Sequence, residues 1–127
     1  MRQVYIAGKY TAKARLRERK KDVEAIGFAV SSSWMAQDLV DATSSNATKR
    51  KEAVRDAHEV LQAEFFILDT LDDSNTGGRE VELGLALSRR AHIHLIGPQR
   101  NVFHYLPLVK QYNTWEEMIE HMKGHIK

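Results

Sequence analysis

Short apolar runs and longer amphipathic stretches alternate along this chain of 127 residues. Residues 4–7 form a β-rich run that stops at Gly8. Residues 11–26 predict a helix, with Ala14, Leu16, Val23 and Ile26 among its apolar positions, Thr11 as its cap and Gly27 at its end. Residues 28–33 read as a second strand, and 41–46 as a polar loop. A helix over 47–62 follows, capped by Ser45 or Asn46. Residues 65–68 are an apolar strand core running into Asp69, and 71–78 are a loop of Asp, Ser, Asn, Thr and Gly. A helix over 79–90 leads to a strand over 92–96 that Gly97-Pro98 ends. Residues 102–106 suit a short helical turn and 110–112 a short fifth strand. The last helix covers 115–123, where Thr114 and Glu117 have the spacing of a capping box.

Strands alternating with helices predict one α/β domain over 1–127, with a parallel sheet of about five strands covered by helices on both faces. Right-handed crossovers make it a doubly wound, flavodoxin-like sheet. Such sheets bind ligands beyond the carboxyl ends of their strands. That rule selects residues 8–10, 69–78 and 97–101.

Composition narrows the class. Hydrophobic residues are 43% and charged residues 28% of the chain, as in ordinary globular proteins. The chain has no cysteine, which excludes disulfides, thiolate metal sites and a cysteine nucleophile and is compatible with a reducing compartment. No signal-peptide core fits the first residues, and no apolar run approaches the roughly 18 residues of a membrane span. The expected protein is soluble and cytosolic, with no membrane partner. A net charge of +2 is too small to argue for nucleic acid. The basic run over 13–21 reads as the solvated face of a helix, or as a phosphate-facing patch.

Chemistry concentrates at the strand ends. Gly8 lets the backbone turn and approach a ligand, and the helix start after Lys9 and Tyr10 offers N–H groups to an anion. The same residues also suit a plain strand-to-helix turn. Asp69 comes directly off a strand; it can serve a site or cap a turn. Glu82 is more telling, because every other residue over 81–87 is apolar or glycine. A helix apolar almost all round is expected to be buried, so its single carboxylate should lie against protein or face a pocket. Gly84 and Ala86 leave room beside it. Its place near the helix start should favour the ionised form. Two carboxylates around a glycine-rich loop suit sugar chemistry, one attacking an anomeric carbon and the other serving the leaving group. Tyr5, on the adjacent strand, can orient Glu82.

Together, Tyr5-Ile-Ala-Gly8, Asp69 and Gly78-Arg-Glu-Val-Glu82-Leu-Gly-Leu-Ala86 resemble the nucleoside 2-deoxyribosyltransferase family, which includes the related 2'-deoxynucleoside 5'-monophosphate N-hydrolases. The resemblance implies that Glu82 is the nucleophile, with Asp69 and Tyr5 as catalytic partners. It implies a two-step, retaining reaction on a 2'-deoxynucleoside or deoxynucleotide, through a deoxyribosyl-enzyme, with a second free base or water as acceptor. No metal or organic cofactor is implied. A dimer or larger homo-oligomer is implied, because members of the family complete their sites across subunits. The chain departs from the monophosphate hydrolases near the first glycine loop. They favour small hydroxyl and arginine side chains where Lys9, Tyr10 and Thr11 stand here. Thr76 and Gly78 fall where a phosphate would bind, Lys9 and Arg79 can add charge, and Asn101 can meet the free 5'-hydroxyl in a neighbouring subunit's site.

Other positions carry alternatives. Trp34 can stack on a base or pack at a strand end. His104 can touch a phosphate or lie at a surface or interface. His92 and His94 share one strand face, but the sequence offers no third metal ligand for them. Trp115, Met118 and Met122 form a stripe for core or subunit contact. Three functions follow: a deoxyribosyltransferase, an N-hydrolase, or a nucleotide-binding module without turnover built on Thr76-Gly77-Gly78.

Overall fold

A computed structural model describes residues 1–37, 43–73 and 77–125. Its strands are β1 (Gln3–Ala7), β2 (Ala29–Val30), β3 (Phe65–Asp69), β4 (His92–Ile96) and β5 (Val109–Tyr112). Its helices are α1 (Lys13–Ala25), α2 (Asn46–Gln62), α3 (Gly78–Ser88) and α4 (Trp115–Met122). The strands form one sheet in the order β2-β1-β3-β4-β5, parallel at every pairing. The order reverses at β1, so the crevice beyond the ends of β1 and β3 is the expected ligand position.

Alternation along the strands divides the core in two. Val4, Ile6, Phe65, Ile67 and Ile96 point to one face and pack with Leu16 and Val23 of α1 and Trp115, Met118 and Met122 of α4. Tyr5, Ala7, Phe66, Leu68, Ile93 and Leu95 point to the other, against Val60 of α2 and Leu83 and Ala86 of α3. The stripe of Trp115, Met118 and Met122 is therefore core.

Boundaries differ from expectation where side chains replace backbone. β2 stops at Val30 because serines take over: Ser32 Oγ accepts from the Ile6 N–H at 3.1 Å, and Ser33 binds Glu59 through N–H and hydroxyl. Thr11 does not cap α1; a 3-10 turn over Tyr10–Ala12 precedes the helix, and Lys9 stands at the turn's start. Ser45 does cap α2, accepting from the Thr48 N–H, and Thr114 caps α4 through the Glu117 N–H. α3 begins a residue early, behind a left-handed Gly77 at φ +80°, a conformation that a Cβ would strain. Nor is α3 buried all round: Val81 is 66% exposed and Gly84 is exposed. No helix among the described residues is long and apolar enough to cross a membrane.

Candidate active site

β1 lies inside the sheet between β2 and β3, and the Tyr5 ring is fully buried and stacks on Phe66 of β3 at 5.9 Å. Its hydroxyl reaches α3 and donates to Glu82 Oε2 at 2.5 Å. Glu82 itself is only partly buried, neither in bulk solvent nor sealed in the core. Among the described residues Oε1 has no hydrogen-bond partner. One oxygen is held and the other is free.

Burial pushes the Glu82 carboxyl up to about 7; the Tyr5 hydrogen bond opposes this, and the charges of Asp56 and Glu59 add to it. The expected help from the helix start is not seen. Glu82 lies in the second turn of α3, beyond the reach of the dipole, and desolvation dominates. Burial, then the charge of Glu82, push the Tyr5 hydroxyl far above its ordinary range, so it keeps its proton and donates.

Asp56 and Glu59 were not anticipated. Asp56 falls in register with Val60 and Ala63 on the sheet-facing side of α2, a carboxylate interrupting an apolar stripe. That is the same signal that singled out Glu82. Burial raises Asp56 above the usual carboxylate range, against its ion pair with Arg55.

Asp69 is not brought to Glu82. It ends β3 on the opposite face of the sheet, beside Trp115. Its carboxylate is buried and filled: Arg15 donates twice, at 2.8 and 3.2 Å, Trp115 Nε1 at 2.8 Å and the Leu71 N–H at 3.0 Å. Four donors on two oxygens make an anchor for the loop after β3 rather than an acid free for a leaving group. The basic run of α1 works the same way. Arg15 also holds Asp72, Arg17 donates to the Met35 carbonyl, and Arg19 pairs with Glu116, so these side chains tether the fold instead of forming a phosphate patch.

The remaining candidates separate similarly. Gly8 sits where an added Cβ would meet Leu16 Cδ1 at 2.7 Å, so its smallness serves the close packing of α1. Arg79 is buried, and its Nη1 donates to the Asp69 and Asp72 carbonyls at 3.2 and 2.7 Å. His104 is fully buried between Glu80, 2.9 Å from Nε2, and the Arg100 N–H, 3.0 Å from Nδ1. Both nitrogens are engaged, so it has no hand free for a phosphate. Asn101 caps the 3-10 turn over Val102–Tyr105 by accepting from the Phe103 N–H. Gly78 is exposed at the start of α3, and Thr76 lies outside the described residues. Trp34 and Tyr10 stay near the crevice, ring centroids 6.3 Å apart. Trp34 Nε1 donates to the Ile6 carbonyl at 2.7 Å, and the Tyr10 hydroxyl to the Gln37 carbonyl at 2.8 Å. Lys9, at the end of β1, has no ion-pair partner among the described residues. An open concavity of about 580 Å³ on α2, lined by Arg50, Lys51, Val54 and His58, shares no residue with the Tyr5–Glu82 pair.

No protein-family model and no curated protein matches the sequence. Solved structures do. A 2-deoxyribosyltransferase from Bacillus psychrosaccharolyticus aligns at TM-score 0.73 and 17% identity, over 92% of this chain and 90% of that one. The Clostridium botulinum CMP N-glycosidase BcmB aligns at TM-score 0.63 and 16% identity, over 95% and 98%. A conserved protein from Enterococcus faecalis V583 aligns at TM-score 0.67 and 16% identity, over 99% of each chain. The fold is that of the deoxyribosyltransferase and N-glycosidase structures, as the resemblance implied.

Proposed function

We propose that the protein is an N-glycosidic-bond enzyme, and specifically a nucleoside 2-deoxyribosyltransferase with Glu82 as nucleophile. The observation that carries this reading is the partly buried Glu82 carboxylate, held at one oxygen by Tyr5 and without a hydrogen-bond partner at the other among the described residues. In the first step Glu82 Oε1 bonds to C1' of a 2'-deoxynucleoside while the C1'–N bond breaks. That bond's electron pair leaves with the base, which takes up a proton from water. In the second step a nitrogen of another base bonds to C1' and loses its proton, and the C1'–Oε1 bond breaks to restore the carboxylate. Two inversions give retention. Tyr5 keeps Oε2 oriented throughout, and Trp34 offers a fixed ring face on which a base can stack. The likeness of fold to a deoxyribosyltransferase supports the assignment, but the argument rests on the site.

A homo-oligomer belongs to the same reading. Val102, Phe103 and Tyr105 are exposed in one short turn after β4, an apolar surface suited to subunit contact, with Asn101 at its base.

The second reading is a deoxynucleotide N-hydrolase with water as acceptor. The unpaired Lys9 favours it, since its ammonium can meet a 5'-phosphate at the end of β1. A CMP N-glycosidase shares the fold. Incubation with a deoxynucleoside, with and without a second free base, separates the two. The transferase reading expects a new deoxynucleoside carrying the added base; base release indifferent to the acceptor contradicts it.

A further inference from the structure

Four of the chain's six histidines meet on the α1/α4 face of the sheet, away from Glu82. His92 and His94 alternate along β4, and His121 and His125 stand one helical turn apart at the end of α4 and in the 3-10 turn after it. The ring centroids of His94 and His121 are 5.8 Å apart, those of His121 and His125 5.6 Å, and those of His94 and His125 6.5 Å. His92 lies 5.4 Å from His125. The sequence offered two of these ligands; the fold supplies the others.

One atom in this cluster has no explanation in packing. His94 is 1% exposed, and its Nε2 is the one buried side-chain nitrogen or oxygen among the described residues without a hydrogen-bond partner. Its Nδ1 lies 3.2 Å from the Tyr112 hydroxyl. A proton on Nδ1 donated to that hydroxyl leaves a bare lone pair on Nε2, the arrangement by which an outer partner fixes the tautomer of a metal-binding histidine. Histidines four apart on a helical turn are a chelating pair. Imidazoles sharing one zinc at about 2.0–2.1 Å bring their ring centroids to roughly 5 Å. No group of three such donors among the described residues is placed to hold a metal ion as it stands, so binding requires the imidazoles of His121 and His125 to turn inward. His121 is exposed and His125 partly so, which leaves both free to turn toward the fixed His94.

We propose that His94, His121 and His125, with His92 or water as the fourth donor, bind a divalent transition ion of the zinc type. Imidazole donors without carboxylates select zinc, nickel or copper over magnesium and calcium. Arg2 and Lys110 approach the same cluster, which moderates affinity for a dication. The ion would tie the turn after α4 to β4, and so act on stability rather than on chemistry at Glu82.

The test is calorimetric titration of zinc into the chelator-treated, tag-free full chain. A cobalt spectrum and a thermal melt accompany it. One equivalent should bind, the melting temperature should rise, and cobalt should give the bands of a tetrahedral nitrogen site. His121→Ala and His125→Ala should each weaken binding about tenfold or more, while His58→Ala, on α2, should not. Both substitutions lie at or near the surface, so the folded state survives them even if His94→Ala does not fold. No saturable binding, or binding unchanged in both variants, overturns the site.

Discussion

The Tyr5 hydroxyl and Glu82 Oε2 lie 2.5 Å apart, joining β1 to α3 across the second half of the core. Tyr5 keeps its proton and donates a hydrogen bond to Glu82, which fixes one carboxylate oxygen and leaves the other without a hydrogen-bond partner among the described residues. A carboxyl titrating near 7 is half ionised at neutral pH, and attack on C1' requires the ionised form.

Glu82→Gln keeps the shape and can still accept from Tyr5, but it cannot become a nucleophile. Turnover should fall at least about a thousandfold with the fold intact. The raised carboxyl also predicts a stability change. Its ordinary value is 4.5 and its folded value about 7, so the unfolded chain loses the proton first. The contribution of the native carboxyl is full below 4.5 and is lost as pH rises through 7. Glu82→Gln should therefore be more stable than the parent chain above pH 7, by up to about 3 kcal/mol, and no more stable in acid. Melts across that window check this.

Activity should rise with pH along a limb centred near 7, as Glu82 ionises. In Tyr5→Phe the bond that opposes the upward shift is gone, so the limb should move to higher pH. At neutral pH the variant should lose about tenfold in kcat/KM and recover part of it in alkali. A limb left in place would show that Tyr5 does not act through Glu82.

Asp69→Asn should act on folding first. It removes the carboxylate charge shared by Arg15 and Trp115 in a buried position, at a cost of about 3 kcal/mol. Denaturant unfolding measures it. Unchanged stability together with lost turnover would instead return Asp69 to the substrate.

Lys9→Ala discriminates between the substrates. If a monophosphate is the natural ligand, KM for it should rise by about tenfold or more while the nucleoside's KM holds. Equal effects on both would remove Lys9 from phosphate recognition.

The sheet, its helices and the emphasis on Glu82 were legible in the sequence because each rests on local periodicity. The Tyr5–Glu82 pair was legible too, since both stand in short patterned segments. Asp69 shows why the rest was not. Its position at a strand end was readable, but the face it takes depends on strand parity, and its saturation depends on Arg15, which is 54 residues away in sequence. Arg79 and His104 misled for a related reason. Each reads as a ligand for substrate until its partners are placed: the Asp69 and Asp72 carbonyls for Arg79, and the Glu80 carboxylate and Arg100 N–H for His104. The almost wholly apolar run of α3 suggested burial, yet Val81 and Gly84 face outward. His121 and His125 joined His94 only through the packing of α4 on the sheet.

Incubation with a 2-fluoro-2-deoxyribosyl donor, followed by proteolysis and mass spectrometry, addresses the central claim most directly. The fluorine slows release of the sugar more than its capture, so the covalent intermediate accumulates. The account predicts one fluorodeoxyribosyl adduct per chain, on the peptide containing Glu82, and none in Glu82→Gln. An adduct on any other peptide, or base release from the donor with no adduct at Glu82, would contradict it.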